Sequence, residues 1–305
     1  MSCAFIFPGQ GSQSVGMYQS LYQGNEVFKS TIDQASAVLE YDLWQVISEN
    51  PDDQLNKTEY TQPALLACSI AAYRAYLDAG GKMPSVMAGH SLGEYSALVA
   101  AGNLSFETAL SLVRLRGQLM QQAVPEGTGA MAAVLNLTLE QINTVCSQLD
   151  GVVEAANINA PGQIVVAGDA TAVEQSLPLF KDAGARRALP LPVSVPSHCS
   201  LMKPAAEQLQ KALSLIEIEA SAIPVVHNVS AQPVRNPDEI KTMLVQQLYS
   251  SVRWVDCVET LKAFGIEYAV ECGPGNVLAG LVKRIDKALP VKALNSDESL
   301  AALVS

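Results

Sequence analysis

Short apolar runs that alternate with helical stretches constrain the fold of this chain more than any other feature of its sequence. The runs CAFIFP, PSVMAGH, IPVVHNV and EYAVEC are bounded by Gly, Pro or Asn, which is typical of buried parallel strands. Patterns typical of helices lie between these runs, at 61–79, 105–123, 200–214 and 237–249. We therefore predict an α/β fold with a mostly parallel sheet.

One segment departs from this alternation. Between residues 126 and 196 the predicted order is strand, helix, strand, strand, helix, strand, with the elements at 130–137, 139–149, 152–157, 164–168, 170–183 and 186–193. This β-α-β-β-α-β order is ferredoxin-like, and APG at 160–162 supplies the turn between the middle strands. We predict that residues 126–196 form a small subdomain inserted into a large one made of residues 1–125 and 197–305. A cleft between the two is the expected ligand site.

Composition argues against several classes of function. The net charge of −11 disfavours nucleic acid or an anionic membrane surface as a partner, and no run of about 18 apolar residues is present to span a bilayer. The apolar start of the chain is too short for a signal peptide and lacks basic residues, so we expect a cytoplasmic protein. Six cysteines are scattered without a C-x-x-C pair, which indicates reduced thiols and gives no reason to expect a metal site.

The stretch MAGHSLGEYSALVAAG, residues 87–102, places Ser91 between Gly89 and Gly93. Gly-x-Ser-x-Gly after a strand and before a helix is the signature of a nucleophile elbow, in which the serine occupies a sharp turn with strained backbone angles. Side chains at the two glycine positions would collide with the neighbouring strand and helix. The helix N-terminus also places positive dipole and a free N–H near a developing oxyanion. The alternative is a serine that merely begins a helix in a glycine turn.

A nucleophilic serine needs a base, and the chain has three histidines. His90 adjoins Ser91, and we expect its side chain to leave the elbow in another direction. His227 lies in a run typical of a buried strand, where a hydrogen-bonded core histidine is the more common outcome. His198 lies just before the helix that re-enters the large subdomain, where it faces the cleft; it is the predicted base, and the alternative is a residue that only begins the helix. The adjacent Cys199 has no second histidine to activate it, so we expect it to be inert.

The helix predicted at 105–123, with Ser105 as its N-cap, places Arg116 in the middle of its apolar face and Arg114 among its polar residues. An arginine that faces inward needs an anionic partner, because a buried unpaired charge is costly. That partner is either a structural Asp or Glu or a carboxylate of the substrate, which the planar guanidinium fork is suited to bind.

The first predicted strand ends in FPGQGSQ, a glycine-rich loop of the kind that binds phosphate or dinucleotides. The spacing fails, because Ser14 stands where Gly-x-Gly-x-x-Gly needs its third glycine and no Gly-Lys-Ser/Thr follows. The loop is then either a simple tight turn or a source of a second oxyanion donor near Gln10, since α/β sheets place ligands at the carboxyl ends of their strands.

Six separated stretches, FPGQGSQ, GHSLGE, RLRGQLMQ, NINAPGQIVVAG, PVSVPSHCSLMKPA and ECGPG, closely resemble the malonyl-CoA:acyl-carrier-protein transacylases of bacterial fatty acid synthesis. They follow the order of that family from Phe5 to Leu294, nearly the whole chain. The resemblance implies an α/β-hydrolase-like large domain with a ferredoxin-like insert, which agrees with the layout predicted above. Two departures are slight and touch no catalytic role: His227 stands where asparagine is more usual, and Cys272 where an aliphatic residue is common.

The resemblance also implies roles for individual residues. Ser91 would be the acylated nucleophile and His198 its base. The histidine would be oriented by a main-chain carbonyl, at the position of Gln247, rather than by an acidic side chain. The backbone N–H groups of Gln10 and Leu92 would form the oxyanion hole.

The implied reaction is a ping-pong cycle in which Arg116 would bind the malonyl carboxylate. Malonyl-CoA acylates Ser91, CoA leaves, and the phosphopantetheine thiol of acyl carrier protein takes the malonyl group. Malonyl-CoA is then a substrate, no cofactor is expected, and we expect a monomer. Fatty acid synthesis, a polyketide system served in trans and malonate decarboxylation can all use such an enzyme.

Two other classes of protein compete with this interpretation. A serine hydrolase would normally have a triad acid between the serine and the histidine in the chain, for which Asp169 and Asp182 are the positional candidates, and it has no need of a carboxylate-binding Arg116. A non-catalytic carrier-protein scaffold would not need an intact pair of Ser91 and His198.

Acyl carrier proteins are acidic, so docking on this acidic chain needs a locally basic surface. Basic residues cluster in two places, namely Lys181, Arg186 and Arg187 on the small subdomain and Lys283, Arg284 and Lys287 near the C-terminus. They are either ordinary solvated helix faces or a docking surface. We expect at least one cluster to line the mouth of the cleft.

Overall fold

A computed structural model describes residues 2–193 and 195–305. Its strands are β1 (Cys3–Phe7), β2 (Val86–Gly89), β3 (Gly129–Leu135), β4 (Val153–Ala160), β5 (Gln163–Asp169), β6 (Arg187–Pro190), β7 (Val225–Val226), β8 (Tyr268–Cys272) and β9 (Val291–Leu294). Its helices are α1 (Gln19–Gly24), α2 (Glu26–Leu39), α3 (Leu43–Glu49), α4 (Thr58–Asp78), α5 (Leu92–Ala101), α6 (Phe106–Ala123), α7 (Leu139–Cys146), α8 (Ala170–Asp182), α9 (Lys203–Ser214), α10 (Pro237–Gln247), α11 (Trp254–Ala263), α12 (Val277–Ile285) and α13 (Asp297–Val304).

The larger sheet is parallel, with the strand order β7-β2-β1-β8-β9. Its central strand β1 is buried along its whole length, because both faces of the sheet are covered. Phe5 and Phe7 belong to the core on one face, and Ala4 and Ile6 belong to the core on the other, together with Trp254. Burial on both faces explains why β1 and β2 are continuous apolar runs and why β8 is apolar apart from Glu271. The predicted mostly parallel sheet is confirmed.

A second, antiparallel sheet has the strand order β4-β5-β3-β6. Its elements follow each other as β3-α7-β4-β5-α8-β6, and residues of α7 and α8 share one core with its strands. Pro161 and Gly162 make the turn between β4 and β5, where Gly162 has a φ of 69°. The last strand was expected to reach Val193 but ends at Pro190, and the residues after it instead line a cavity.

The predicted helices are present with shifted ends. The helix expected at 61–79 begins earlier, at Thr58, and the one expected at 200–214 opens with a 3-10 turn over Ser200–Met202 before α9. The strand expected in IPVVHNV is only Val225–Val226, so His227 lies just beyond its end. All six cysteines are unpaired. Over residues 2–193 and 195–305, no helix has the length and apolar character needed to cross a membrane.

The register of the parallel sheet brings two loops together. Phe7 at the end of β1 lies opposite Gly89 at the end of β2, so the PGQG loop and the turn at Ser91 leave the sheet side by side. They pack so closely that a Cβ atom at Gly9 would lie 2.5 Å from the carbonyl oxygen of His90. This is the edge at which open α/β sheets bind their ligands.

Candidate active site

Ser91 occupies the turn between β2 and α5 with φ 52° and ψ −111°, a backbone conformation that L-residues rarely adopt. The two flanking glycines make the turn possible. A Cβ at Gly89 would lie 1.8 Å from the carbonyl carbon of Gly93, and a Cβ at Gly93 would lie 1.9 Å from the carbonyl oxygen of Phe7. The glycines are therefore required because helix α5 and strands β1 and β2 approach one another through their backbones at this point.

His198 contacts the serine. Its Nε2 lies 2.8 Å from Ser91 Oγ, and its Nδ1 lies 2.7 Å from the main-chain carbonyl oxygen of Gln247. Burial, the positive charge of Arg116 and the nearby His90 together lower the pKa of His198 to about 3, with burial the largest cause. The imidazole is therefore neutral near pH 7. Because the carbonyl can only accept, Nδ1 carries the proton and Nε2 is free to accept one from the serine.

The other two histidines point elsewhere. His90 Nε2 lies 2.8 Å from Asn159 Oδ1, and its ring packs against Trp254. His227 is fully buried, with its Nδ1 at 2.7 Å from Glu94 Oε1. Cys199 is buried with its Sγ directed at a main-chain carbonyl, and burial raises the pKa of its thiol to about 12, so it is not a nucleophile at neutral pH.

Arg116 is 1% exposed and lies beneath the serine. Its Nη1 donates to Gln62 Oε1 at 2.8 Å, and its Nη2 donates to Gln247 Oε1 at 3.0 Å and lies 3.3 Å from Ser91 Oγ. Of the two partners considered from the sequence, the structural acid is not found, since no Asp or Glu oxygen in the described residues lies within 4 Å of the guanidinium. Its direct partners are thus neutral amides, and the charge is left without an ion pair.

Two backbone N–H groups near the cavity, one just after Ser91 and one in the loop after β1, have no acceptor within the described residues. Among residues 2–193 and 195–305, neither the backbone N–H of Leu92 nor that of Gln10 finds a hydrogen-bond acceptor. The N–H of Ser91 itself is taken, because it donates to Asn228 Oδ1 at 2.7 Å. Asn228 also donates to the carbonyl oxygen of Gly89 at 2.6 Å and so ties down both sides of the turn.

These groups line one cavity of about 220 Å³. The loop after β1, the elbow, α6 and the segment before α9 contribute Gln10, Ser91, Arg116 and His198 to its walls. The antiparallel sheet side contributes a mostly apolar wall, lined by Met131, Asn157, Leu191, Pro192 and Val193. The cavity is thus lined by residues from elements of the parallel sheet on one side and of the antiparallel sheet on the other.

The sequence analysis missed several polar residues of the site. These residues are Gln62, Glu94 and Asn228, and all are fully or almost fully buried. Gln62 accepts from Arg116, Glu94 accepts from Gln247, and Asn228 accepts from the N–H of Ser91 itself. Asn157 lines the cavity, and its Oδ1 is buried without a hydrogen-bond partner among the described residues. One signal was available: Glu94 is the one charged residue within the largely apolar stretch LGEYSALV.

The acids proposed for a hydrolase triad lie elsewhere. Asp169 is the last residue of β5 and accepts from the N–H of Val152 at 2.6 Å, and Asp182 is the exposed last residue of α8. Neither is bonded to His198, whose second nitrogen is already occupied by the carbonyl of Gln247.

The two basic clusters lie on the surface. Their six side chains are exposed, and none lines the cavity that holds Ser91. Arg284, in the C-terminal cluster, donates to Gln163 Oε1 at 2.8 Å and so connects α12 to the antiparallel sheet.

Comparison with known proteins finds similar sequences and similar solved structures over nearly the whole chain. The family model described as "Acyl transferase domain" matches residues 4–299. The malonyl CoA-acyl carrier protein transacylase of Escherichia coli K12 is 52% identical over 301 residues, which are 98% of this chain and 97% of that one. A crystal structure of an acyl carrier protein S-malonyltransferase from Vibrio cholerae is 53% identical with a TM-score of 0.97, and covers 99% of this chain and 100% of that one. A malonyl-transacylase in complex with its type II PKS acyl-carrier protein is 49% identical with a TM-score of 0.98, over 100% of this chain and 99% of that one.

Proposed function

This chain belongs to the acyl transferase family and, within it, to the malonyl-CoA–acyl carrier protein transacylases, and from that membership we propose how its side chains perform the transfer. The enzyme is an acyltransferase that moves the malonyl group from malonyl-CoA to acyl carrier protein for fatty acid synthesis. One observation supports the assignment of roles above all others: Ser91 Oγ lies 2.8 Å from His198 Nε2 and 3.3 Å from Arg116 Nη2. A nucleophile, a base and a cation for the substrate carboxylate therefore meet at one oxygen atom.

In the first half of the cycle, Ser91 attacks the thioester carbonyl of malonyl-CoA. His198 Nε2 takes the hydroxyl proton as the bond from Oγ to the carbonyl carbon forms. The carbonyl oxygen becomes an oxyanion, and the free N–H groups of Leu92 and Gln10 are available to donate to it. The tetrahedral intermediate collapses, the bond to sulfur breaks, and the CoA thiolate takes the proton from His198. The product is a malonyl ester on Ser91.

The second half runs the same steps with a different thiol. The phosphopantetheine thiol of acyl carrier protein gives its proton to His198 and attacks the malonyl ester of Ser91. The same two N–H groups stabilise the second oxyanion, and the serine oxygen leaves with the proton from His198. Because a thioester is exchanged for a thioester, the whole reaction is nearly balanced in free energy and runs in both directions.

Arg116 selects the acyl group. Gln62 and Gln247 hold its guanidinium through their amide oxygens but do not neutralise it, so the carboxylate of a malonyl group on Ser91 would be its nearest anion. A neutral acyl group would leave the charge without an anion in a buried site, and this penalises the wrong substrate.

The finer architecture is part of the same proposal. We propose that residues 126–196 are a ferredoxin-like subdomain inserted into an α/β-hydrolase-like one made of residues 1–125 and 197–305. The strand order β4-β5-β3-β6 and the element order β3-α7-β4-β5-α8-β6 support this division. We also propose that the enzyme is a cytoplasmic monomer. We further propose that it needs no cofactor and no metal, because each step above uses only side-chain and main-chain groups.

Incubation of the protein with a panel of acyl-CoAs, followed by mass spectrometry and transfer assays, tests this function. We expect one malonyl group on Ser91, rapid transfer to holo acyl carrier protein and slow release to water. Release of free malonate faster than transfer would identify a hydrolase. Failure of the folded protein to form any adduct would leave only a scaffold.

A further inference from the structure

The carboxylate of Glu94 is fully buried one helical turn after Ser91, and the mechanism above does not use it. It accepts three hydrogen bonds. Oε1 lies 2.7 Å from His227 Nδ1, and Oε2 accepts from the N–H of Asn228 at 2.9 Å and from Gln247 Nε2 at 2.8 Å. Glu94 thus accepts from two separate stretches of the chain, the adjacent residues His227 and Asn228 and the end of α10 at Gln247, close to the active serine.

The contact with Gln247 decides which way its amide points. Its Nε2 donates both to Glu94 Oε2 and to the carbonyl oxygen of Ser91, the latter at 3.0 Å. Both of these groups can only accept, so the amide nitrogen must face them. Its oxygen is then left to accept from Arg116 Nη2 at 3.0 Å. With the amide turned over, two donors would face each other at Arg116 and two acceptors at Glu94.

His227 donates to the other oxygen of Glu94. Its Nδ1 faces the carboxylate, and its buried Nε2 has no partner among the described residues. A neutral ring with its proton on Nδ1 leaves only a lone pair unused, whereas an imidazolium would bury an N–H without an acceptor, which costs more. The ring therefore donates from Nδ1, and Glu94 is connected to Arg116 through the single amide of Gln247.

We infer that Glu94 is a positioning residue for acyl selectivity, which orients the Gln247 carboxamide and thereby fixes the guanidinium of Arg116 beneath Ser91. This inference rests on the proposed role of Arg116 in binding the malonyl carboxylate. The same contact holds the segment whose main-chain carbonyl orients His198, but the inferred effect of Glu94 on selectivity passes through the side chain of Gln247 to Arg116.

The test compares Glu94→Gln with a matched control, Glu271→Gln. Glu271 is equally buried and accepts from the N–H groups of Leu278 and Ala279, and in the described part of the chain it makes no hydrogen bond to Ser91 or Gln247. For each variant, KM and kcat are measured with malonyl-CoA and with acetyl-CoA, together with the melting temperature. We expect Glu94→Gln to lower the malonyl-to-acetyl ratio of kcat/KM by about five- to tenfold, chiefly through KM for malonyl-CoA, because Gln247 then donates to a neutral amide oxygen in place of a charged carboxylate and is held less firmly. The control should leave the ratio within about twofold.

A double-variant cycle tests whether Glu94 acts through Gln247. Gln247→Ala removes the carboxamide but keeps the main-chain carbonyl, so it should lower the same ratio. Adding Glu94→Gln to it should then change the ratio no further, since both act through one contact. A further, additive fall in the double variant would overturn the inference.

The remaining outcomes are equally decisive. An unchanged ratio in Glu94→Gln, or an equal fall for both substrates with a lowered melting temperature, would show that Glu94 only supports the fold. If Glu94→Gln gives no folded protein, Glu94→Asp is used instead. Its shorter side chain moves the carboxylate away from Gln247, so here too the malonyl-to-acetyl ratio of kcat/KM must fall. An unchanged ratio in Arg116→Ala would instead refute the proposed role of Arg116, so the two failures are distinguishable.

Discussion

The Nδ1 atom of His198 lies 2.7 Å from the main-chain carbonyl oxygen of Gln247, which takes the position that an acid holds in a Ser-His-Asp triad. A carbonyl fixes the tautomer and orientation of the ring as an aspartate does, but it carries no charge to stabilise an imidazolium. Burial and then the cation of Arg116 lower the pKa of His198, and the hydrogen bond to this carbonyl offsets them only in part. The arrangement yields an oriented but weak base.

The first prediction concerns the nucleophile and the base. Ser91→Ala should form no malonyl adduct while the fold is kept. His198→Ala should slow acylation by about 10²- to 10⁴-fold, because the oxyanion donors remain. Ser96→Ala is a matched control, since Ser96 is a buried serine of α5, the helix that follows Ser91, and does not line the cavity. This variant should be acylated on Ser91 at the normal rate. Intact-mass spectrometry over time measures all three. A malonyl adduct on Ser91→Ala at the normal rate would refute the elbow assignment.

The second prediction concerns Arg116. Breaking a buried charge pair costs about 3–5 kcal/mol, so Arg116→Ala should lower kcat/KM for malonyl-CoA by about two to three and a half orders of magnitude. The value for acetyl-CoA should fall far less or even rise. Arg116→Lys should recover only part of the loss, because a point charge lacks the planar fork.

Arg114→Ala is the control for this variant. Arg114 lies on the same helix but donates to the carbonyl oxygen of Leu39, at 3.0 Å, away from the serine. We expect it to leave the substrate ratio unchanged. An equal drop for both substrates in Arg116→Ala, with a lowered melting temperature, would make Arg116 a scaffold residue.

The third prediction concerns pH. The lowered pKa of His198, about 3, means that the neutral base persists as the pH falls. At pH 5 roughly 1% of such a group is protonated, against roughly 97% of a histidine with the ordinary pKa of about 6.5. We therefore expect kcat/KM for malonyl-CoA to show no histidine inflection between pH 5 and pH 8. Activity that halves near pH 6.5 in the wild type would contradict this.

A variant tests the cause of that shift. Because the charge of Arg116 lowers the pKa of His198, Arg116→Ala should raise it, and the acid limb of the acetyl-CoA profile should move to higher pH. Burial, the largest cause, remains, so the limb should stay below pH 6.5. Identical acid limbs in the two proteins would show that Arg116 does not act on the base.

The fourth prediction concerns the elbow glycines. Gly93→Ala would place a methyl group 1.9 Å from the carbonyl oxygen of Phe7, where only backbone movement gives relief. We expect it to destabilise the fold by about 1–3 kcal/mol or more and to abolish acylation. Gly280→Ala is the control, because Gly280 lies in α12 with open space around its Cβ position, and it should stabilise the fold by up to about 1 kcal/mol. Denaturant titration measures both; equal stabilities would refute the steric argument.

The fifth prediction concerns docking of the carrier protein. Reversing the charges of Lys181, Arg186 and Arg187, or of Lys283, Arg284 and Lys287, should weaken transfer to acyl carrier protein in at least one case, more so at low salt. Acylation of Ser91 by malonyl-CoA should change little, because neither cluster lines the cavity. Normal transfer after reversal of both clusters would exclude them as the docking surface.

Much of the fold was predictable because burial leaves a clear pattern in the sequence. β1 and β2 are apolar throughout, and β8 is apolar except for Glu271, since both faces of their sheet are covered. Ser105 caps α6 where predicted. The strand in IPVVHNV was overestimated, because an apolar run continues into a loop when the loop is also buried, as at His227.

The site was predictable only in part. The turn at Ser91 has a local signature, and Arg116 was noticeable as a charge on an apolar face. The partners of Arg116 were not predictable, because Gln62 and Gln247 come from helices distant in the chain and a neutral amide shows no charge pattern. Asn228 was missed because its contact with the N–H of Ser91 depends on where β7 ends, which the apolar run in the sequence does not show.

The two walls of the cavity differ in origin, and this has a consequence for how such enzymes diverge. The chain crosses to the antiparallel sheet once after α6 and returns once before α9, so the wall of Met131, Asn157 and Leu191 is encoded in one uninterrupted stretch. Ser91 and Arg116 precede that stretch and His198 follows it. A single recombination that replaces this stretch would therefore change the shape of the cavity wall and leave Ser91, Arg116 and His198 in place. New acyl preferences are thus accessible to evolution, and to protein engineering, through the exchange of one segment.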